Sequence, residues 1–180
     1  MTLRGALAEV AAAVVPKGAV YCCYASLRAK DVFTAFEQSG FEIRAELIWL
    51  KSRPGFNFAH YKHQHEPILY AARSGGTLNW YGDATQVSVL NVRSESGRDY
   101  EHPTQKPPEL AAIVMRNSTL PGNIVLESFA GSGSTFIAAE QLARRCFGLE
   151  IVPAYCDVIV RRWETLTGHK ATLAPATSVA

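Results

Sequence analysis

The sequence predicts an α/β fold, in which helices cover the faces of a mainly parallel sheet. Two apolar runs, residues 19–25 and 43–51, flank a stretch with helical spacing at residues 30–38. A third apolar run, residues 123–127, leads into a loop of small residues. A predicted helix follows the loop and ends near residue 143. Parallel strands need crossover helices of this kind, so the strand, helix and strand between residues 19 and 51 indicate a βαβ unit.

The other predicted elements fit the same architecture. A helix over residues 3–15 ends at Pro16 and Gly18, and a helix that begins at Pro107 and Pro108 runs to about residue 117. Residues 146–151 are predicted as a strand and 154–166 as a helix. Residues 52–101 are largely irregular, with one core strand at 67–72, and inserts of that kind commonly carry function.

Composition indicates one cytoplasmic domain over residues 1–168, with a flexible tail at 169–180. The net charge of +2 permits a nucleic-acid partner without arguing for one. No apolar run is long enough to span a membrane, and Glu9 interrupts the apolar start. The cysteines have no CxxC spacing, which predicts buried, reduced thiols at Cys22, Cys23, Cys146 and Cys156.

The loop of small residues, GSGSTF, has the composition of a nucleotide-binding turn. It has no lysine, which excludes a Walker loop, and Phe136 occupies the third glycine position of a dinucleotide fingerprint. Glu127 precedes the loop and would repel a phosphate, but it suits a cationic ligand such as S-adenosylmethionine. A strand–turn–helix in which Gly131 and Gly133 serve geometry alone is the other interpretation.

Three segments occur in the order HPTQKPPEL, VLESFAGSGSTFIAAE and FGLEIVPAYCDVIVRRWETLTG. Together they resemble the C-terminal half of the bacterial and phage DNA amino-methyltransferases of the beta group, which methylate adenine N6 or cytosine N4. The earlier segment IWLKSRPGFNFAHYKHQHEPILYAAR is also similar to that group. The resemblance implies a Rossmann-like S-adenosylmethionine-dependent methyltransferase fold, a double-stranded DNA substrate and a place in a restriction-modification system.

The resemblance also implies a cofactor site. Lys106 matches a position that would bind the cofactor carboxylate, and Glu150 matches the acid that would bind its ribose. Glu127 stands where the family usually has Asp, and Ser128 where it has Pro. The implied cofactor-binding residues are Thr104, Lys106, Glu127, Phe129, Ala130, Gly131, Ser132, Gly133 and Glu150.

The catalytic tetrapeptide of that family, [DNS]PP[YFW], does not occur in the sequence. The adjacent prolines, Pro107 and Pro108, are followed by Glu109. We therefore predict no catalytic residue and a domain truncated at its N-terminal side, inactive or nearly so alone. It would be a truncated prophage gene or part of an enzyme whose other half is encoded upstream, and a homodimer is also possible. The alternatives are a non-catalytic cofactor- or DNA-binding remnant and an NAD-type oxidoreductase.

The insert at about residues 52–101 is the predicted DNA-contacting region. Basic and aromatic residues alternate between residues 51 and 73, which suits contacts to phosphates and bases. The predicted DNA-binding residues are Arg53, Lys62 and His63. The histidines at 60, 63 and 65 have no companion ligands at metal-site spacing, so no metal is predicted.

Overall fold

The structure, a computed structural model, describes residues 3–54, 58, 60–93 and 105–175. These residues form five helices and six strands, with a short 3₁₀ turn, Ser26–Arg28, before the second helix. In chain order the elements are α1 (Leu3–Ala13), β1 (Ala19–Cys23), α2 (Ala29–Gln38), β2 (Phe41–Leu50), β3 (His65–Arg73), β4 (Val89–Asn91), α3 (Pro108–Ser118), β5 (Ile124–Glu127), α4 (Ser134–Gln141), β6 (Arg145–Gly148) and α5 (Pro153–Thr167).

A four-stranded mixed sheet has the order β1-β3-β2-β4. Strand β3 lies between β1 and β2 and runs antiparallel to both, while β4 runs parallel to β2. The predicted α/β class is confirmed. Since β3 is antiparallel to both neighbours, β1 and β2 run parallel to each other and α2 connects them, as the predicted βαβ unit requires, but the insertion of β3 between them was not predicted. An apolar run shows that a strand is buried but carries no information on its direction, and Leu69, Ala71 and Ala72 of β3 are fully buried.

The second sheet has two parallel strands, β5 and β6, joined by α4. Strands β5 and β6 with α4 therefore form a βαβ unit. Val125 pairs with Cys146 in register, and both pack against α3 and α4. The prediction that β6 continues to residue 151 is wrong, because the strand ends at Gly148.

Helix α3 packs against both sheets. Its Leu110 joins a core with Trp49 of β2 and Ile68 of β3. On another face of α3, Ala112 and Met115 pack with Ala138 and Ala139 of α4. A third core lies between α1, α2 and the large sheet, around Phe36, Phe41 and Leu69. Helix α3 is thus the element that relates the position of one sheet to that of the other.

Some sequence predictions need correction in detail. The prediction of four buried thiols is wrong for Cys156, which is exposed, and the other three thiols are half-buried. The short strand β4 within the insert was not predicted. In the structure, Trp49 of β2 donates a hydrogen bond of 2.8 Å to the carbonyl of Val92, directly after β4. In the part of the chain that the structure describes, no helix is both long and apolar enough to cross a membrane.

Candidate functional site

The glycine loop connects the end of β5 to the start of α4. Gly131 has a φ of +52° and Gly133 a φ of +81°, a left-handed region that disfavours side chains. A Cβ atom on Gly133 would lie 2.8 Å from Cγ1 of Ile159 in α5. The second glycine is therefore required both for the turn and for the close packing of α5 on the loop.

Glu127, the last residue of β5, places a carboxylate directly before this loop. Its Oε1 accepts a hydrogen bond from the Phe129 N–H at 3.0 Å, and its Oε2 accepts one from the Thr135 hydroxyl at 2.7 Å. Burial, and after it the negative charge of Glu127, raises the pKa of the Cys146 thiol to about 12. A phosphate placed here would face an oriented anion, whereas a cation would be attracted.

Glu150 lies two residues beyond the end of β6, and its side chain returns to the glycine loop. Its Oε2 accepts a hydrogen bond from the Gly131 N–H at 2.7 Å, and its Oε1 accepts one from the Val152 N–H at 2.9 Å. A carboxylate offers about four acceptor positions, so one such group can hold the loop and also serve a ligand hydroxyl. The ribose-binding role of Glu150 stays a prediction.

The other loop residues point in different directions. Phe129 has 68% of its surface exposed, so its ring is available to a ligand. Ala130 is buried, and its N–H donates to the Leu149 carbonyl at 3.0 Å. Ser132 is also buried, and its carbonyl and hydroxyl oxygens accept hydrogen bonds from Arg162 of α5 at 2.7 and 3.1 Å. Ser132 therefore anchors the loop to α5.

Lys106 lies between the glycine loop and the large sheet. Its carbonyl accepts a hydrogen bond from the hydroxyl of Ser134, the first residue of α4. Its ammonium lies 2.9 Å from Oε1 of Glu66 in β3. The Lys106 backbone thus contacts the start of α4, directly after the loop, and its cofactor-binding role stays a prediction. Thr104 lies outside the described residues. Glu66 was not predicted as a site residue, because a single glutamate at the start of a strand gives no signal in the sequence.

Phe136 occupies the position where a dinucleotide fingerprint has its third glycine. A Cβ atom on Gly148 of β6 would lie 2.5 Å from the Phe136 ring. The close helix–strand approach is thus achieved with the glycine on the strand and the large side chain on the helix. This arrangement separates the loop from the dinucleotide pattern, in which the helix carries the glycine.

The predicted DNA-binding residues lie together in the connection between β2 and β3. Arg53, Lys62 and His63 are exposed there. Phe58 and Tyr61 in the same connection are 94% and 91% exposed, so aromatic rings accompany the cations. Among the described residues, no three His, Cys, Asp or Glu side chains are grouped so that they could hold a metal ion.

The two sheets leave unpaired strand edges near the site. Among the described residues, β1 pairs only with β3 and β5 only with β6. Burial raises the pKa of the Cys22 thiol in β1, and the charge of Glu127 at the end of β5 raises it further. On the β5–β6 sheet, Ile124, Leu126 and Phe147 are 62%, 43% and 50% exposed. An open edge and an uncovered apolar face therefore adjoin the glycine loop.

The class of protein follows from this arrangement. A glycine loop between strand and helix, a carboxylate before it and a second one after the next strand are features typical of a nucleoside-binding α/β protein. The sequence profile of the DNA methylase family matches residues 2–161, and the chain belongs to that family. The predicted family is thus confirmed.

Individual relatives agree with this assignment. The chain is 29% identical over 167 residues to the type II methyltransferase M2.DpnII of Streptococcus pneumoniae, and the match covers 83% of this chain and 61% of that protein. It is 27% identical over 163 residues to M2.LlaDCHI of Lactococcus lactis subsp. cremoris, which covers 82% and 60% of the two chains. The chain therefore spans about three fifths of the length of these curated relatives.

Among solved structures, the fold is similar to that of the M1.HpyAVI–SAM complex. The TM-score is 0.77 at 24% sequence identity, and the match covers 87% of this chain and 79% of that one. The mixed α/β sheet that the structure shows is thus a fold found in DNA methyltransferases.

Proposed function

We propose that the chain is the cofactor-binding part of a site-specific DNA methyltransferase, which transfers a methyl group from S-adenosylmethionine to adenine N6 or cytosine N4. The observation that carries this proposal is the presence of opposite charges around the glycine loop. Glu127 provides an anion beside the loop, and Lys106, whose backbone carbonyl is bound by the first residue of α4, provides a cation on the side of the large sheet. The fold match to a protein solved in complex with SAM supports the choice of ligand.

The residues present fit this ligand, which has an amino acid end, a sulfonium, a ribose and an adenine but no phosphate. Glu127 suits the ammonium and sulfonium charges, and Lys106 suits the carboxylate. The Glu150 carboxylate suits the ribose hydroxyls as an acceptor, and the exposed ring of Phe129 can pack against the methionine or adenine portion. Gly131 and Gly133 leave the loop backbone open to close approach.

When bound, the cofactor supplies an electrophilic methyl group on its sulfonium. The amino nitrogen of the target base has to face that methyl group, and in this family the tetrapeptide [DNS]PP[YFW] provides the hydrogen-bond acceptors and a stacking ring for the flipped base. No such tetrapeptide occurs in the 180 residues. Misplacement of reacting groups can lower a rate by orders of magnitude, so these residues alone bind the methyl donor without orienting its acceptor.

We further propose that the tetrapeptide arrives on an extended apolar segment from outside these 180 residues. That segment would pair with the edges of β1 and β5, each of which has one strand partner among the described residues. An unpaired strand edge presents a row of N–H and C=O groups that favours the addition of a strand. The greater length of the curated relatives supports a further segment of this kind.

The cofactor assignment is tested by calorimetry with the purified chain. We expect S-adenosylmethionine to bind and NAD to give no heat. Lys106→Met should weaken binding by about tenfold, the loss expected for one charge-assisted hydrogen bond. Lys170→Met is the matched control, since Lys170 is an exposed lysine paired with Glu164 at 2.7 Å. Binding of NAD, or equal effects of the two substitutions, would contradict the assignment.

The need for the tetrapeptide is tested by methylation of plasmid DNA with labelled cofactor. We expect no turnover from the chain alone, and turnover when it is co-expressed with an apolar segment that ends in SPPY. The same segment ending in SPPA is the control, because it keeps the strand and removes the stacking ring. Robust turnover by the chain alone would refute the proposal.

We propose that the β2–β3 connection contacts DNA. Its support is the exposure of Arg53 and Lys62 beside the exposed rings of Phe58 and Tyr61. Binding should weaken steeply with salt, and the Arg53→Ala/Lys62→Ala double variant should reduce the slope of log K against log salt by about 2, roughly one for each phosphate contact. Lys170→Ala should leave the slope unchanged, and an unchanged slope in the double variant would exclude this surface.

A further inference from the structure

Glu66 holds two lysines at once. Its Oε1 lies 2.9 Å from the Lys106 ammonium, and its Oε2 lies 3.1 Å from the Lys51 ammonium. The exposed fractions of the three side chains are 20% for Glu66, 31% for Lys106 and 25% for Lys51. Since all three are mostly withdrawn from water, this bridge is screened less than an ion pair on the surface.

The bridge fixes one end of Lys106 while the glycine loop fixes the other. The Lys106 carbonyl is bound by Ser134 at the start of α4, and its ammonium is bound by Glu66 at the start of β3. Lys106 thus spans from the loop to the large sheet. Glu66 is itself placed by β3, in which it pairs in register with the buried Trp49 of β2.

The charge state of Lys106 depends on the same partner. Burial lowers the pKa of the Lys106 ammonium, but Cys23, Glu66 and Glu127 together raise it above its ordinary value. Burial also raises the pKa of the Cys23 thiol to about 12, so this thiol is neutral at physiological pH. Glu66, as the directly bonded carboxylate, is then the main group that keeps the buried ammonium charged.

We propose that Glu66 is a positioning residue, which holds the Lys106 ammonium at the start of β3, facing the space between the large sheet and the glycine loop, so that it binds the carboxylate of the cofactor's amino acid end. This inference rests on the proposed function and assigns a new residue to it. Lys51 completes the arrangement: it compensates the second oxygen of Glu66 and leaves a net charge of +1 on the three residues. The site therefore keeps its attraction for an anionic group while Lys106 is fixed in place.

The test compares two ligands that differ in the amino acid end. S-adenosylhomocysteine carries the carboxylate, whereas 5′-methylthioadenosine keeps the thioether, ribose and adenine and lacks the amino acid. Glu66→Gln should weaken S-adenosylhomocysteine binding about tenfold, as for the loss of one charge-assisted hydrogen bond, and change 5′-methylthioadenosine binding less than about twofold. A merely structural role of Glu66 would weaken both ligands equally.

Glu109→Gln is the matched control, because it removes a carboxylate from an exposed ion pair with Arg116 at 2.9 Å. It should leave both affinities unchanged. Tighter binding of S-adenosylhomocysteine to the Glu66→Gln variant would show that Glu66 competes with the ligand for Lys106, and would overturn the proposal. Failure of the wild-type chain to bind either ligand would instead remove the proposed function and this inference with it.

A second measurement needs no ligand. The pKa of Lys106 can be followed by NMR of lysine labelled with ¹³C at Cε. It should fall in Glu66→Gln, because burial lowers this pKa and, of the two carboxylates that raise it, only Glu127 remains. Lys51→Met should not lower it, since Glu66 then serves Lys106 alone. Glu66→Asp keeps the charge and gives a folded comparison if Glu66→Gln is unstable. An unchanged Lys106 pKa in both Glu66 variants would refute the positioning role.

Discussion

Replacement of Gly133 by alanine should destabilise the chain through two separable effects. At a φ of +81° an alanine costs about 1–2 kcal/mol, because its Cβ approaches the following carbonyl. That Cβ would also lie 2.8 Å from Cγ1 of Ile159, and overpacking of this kind costs about 1–3 kcal/mol. We therefore expect a loss of about 2–5 kcal/mol in the free energy of unfolding, measured by urea denaturation.

Gly122→Ala provides the matched control. Gly122 has a φ of +82°, but nothing lies within 4 Å of the position that a Cβ would take there, so only the backbone cost of about 1–2 kcal/mol applies. The Gly133→Ala/Ile159→Ala double variant should be about 1–2 kcal/mol more stable than the sum of the two single losses predicts. This coupling measures the cost of the clash between the new Cβ and Ile159. Equal losses for Gly122→Ala and Gly133→Ala, together with strict additivity in the double variant, would refute the argument that α5 excludes a side chain from the loop.

Three further predictions concern the same part of the chain. Gly148→Ala should lower the free energy of unfolding by about 1–3 kcal/mol, and Phe136→Leu should relieve part of this loss in the urea transition of the double variant. Arg162→Met should cost about 1–3 kcal/mol, detected as a lower thermal midpoint, because it leaves the oxygens of buried Ser132 without that donor. The raised pKa of Cys146 means that the folded chain keeps its proton between about pH 9 and 12 while the unfolded chain loses it, so stability should fall as pH rises through this range. In reducing buffer, Cys146→Ala should reduce the slope of the free energy of unfolding against pH by up to about 1.4 kcal/mol per pH unit. The same slope in the wild type and in Cys146→Ala would contradict this account.

Local patterns were sufficient to predict most helices and strands, but not how the strands pair. Residues 19–25 and 43–51 flank a helix, as parallel neighbours do, yet β3 lies between the two strands. The pairing of Val20 with Ala71 and of Leu47 with Ile68 depends on contacts between residues far apart in sequence. An apolar run is compatible with either strand direction, so the antiparallel insertion required the three-dimensional structure.

In the candidate site, too, some features were predictable from the sequence and others only from the structure. Glu127, Gly131 and Gly133 were identifiable because charge and backbone freedom at consecutive positions have a direct chemical meaning. The bridge from Glu66 to Lys106 joins residues far apart in sequence, and a glutamate at the start of a strand is in itself an ordinary feature. Phe136 was correctly taken as evidence against a dinucleotide site, but its compensating partner, Gly148, was visible only after folding.

Helix α3 has a consequence for the cooperativity of unfolding. Since it contributes Leu110 to the core of the large sheet and Met115 to the core of the small one, its amide protons report on both. If the small sheet opens first, the amides of β5 and β6 exchange with deuterium while those of β3 stay protected. Because the glycine loop belongs to the small sheet, a bound ligand would slow exchange in β5 and β6 by a factor that rises with the ratio of ligand concentration to Kd. The amide exchange rates of those two strands thus measure ligand binding without catalytic turnover.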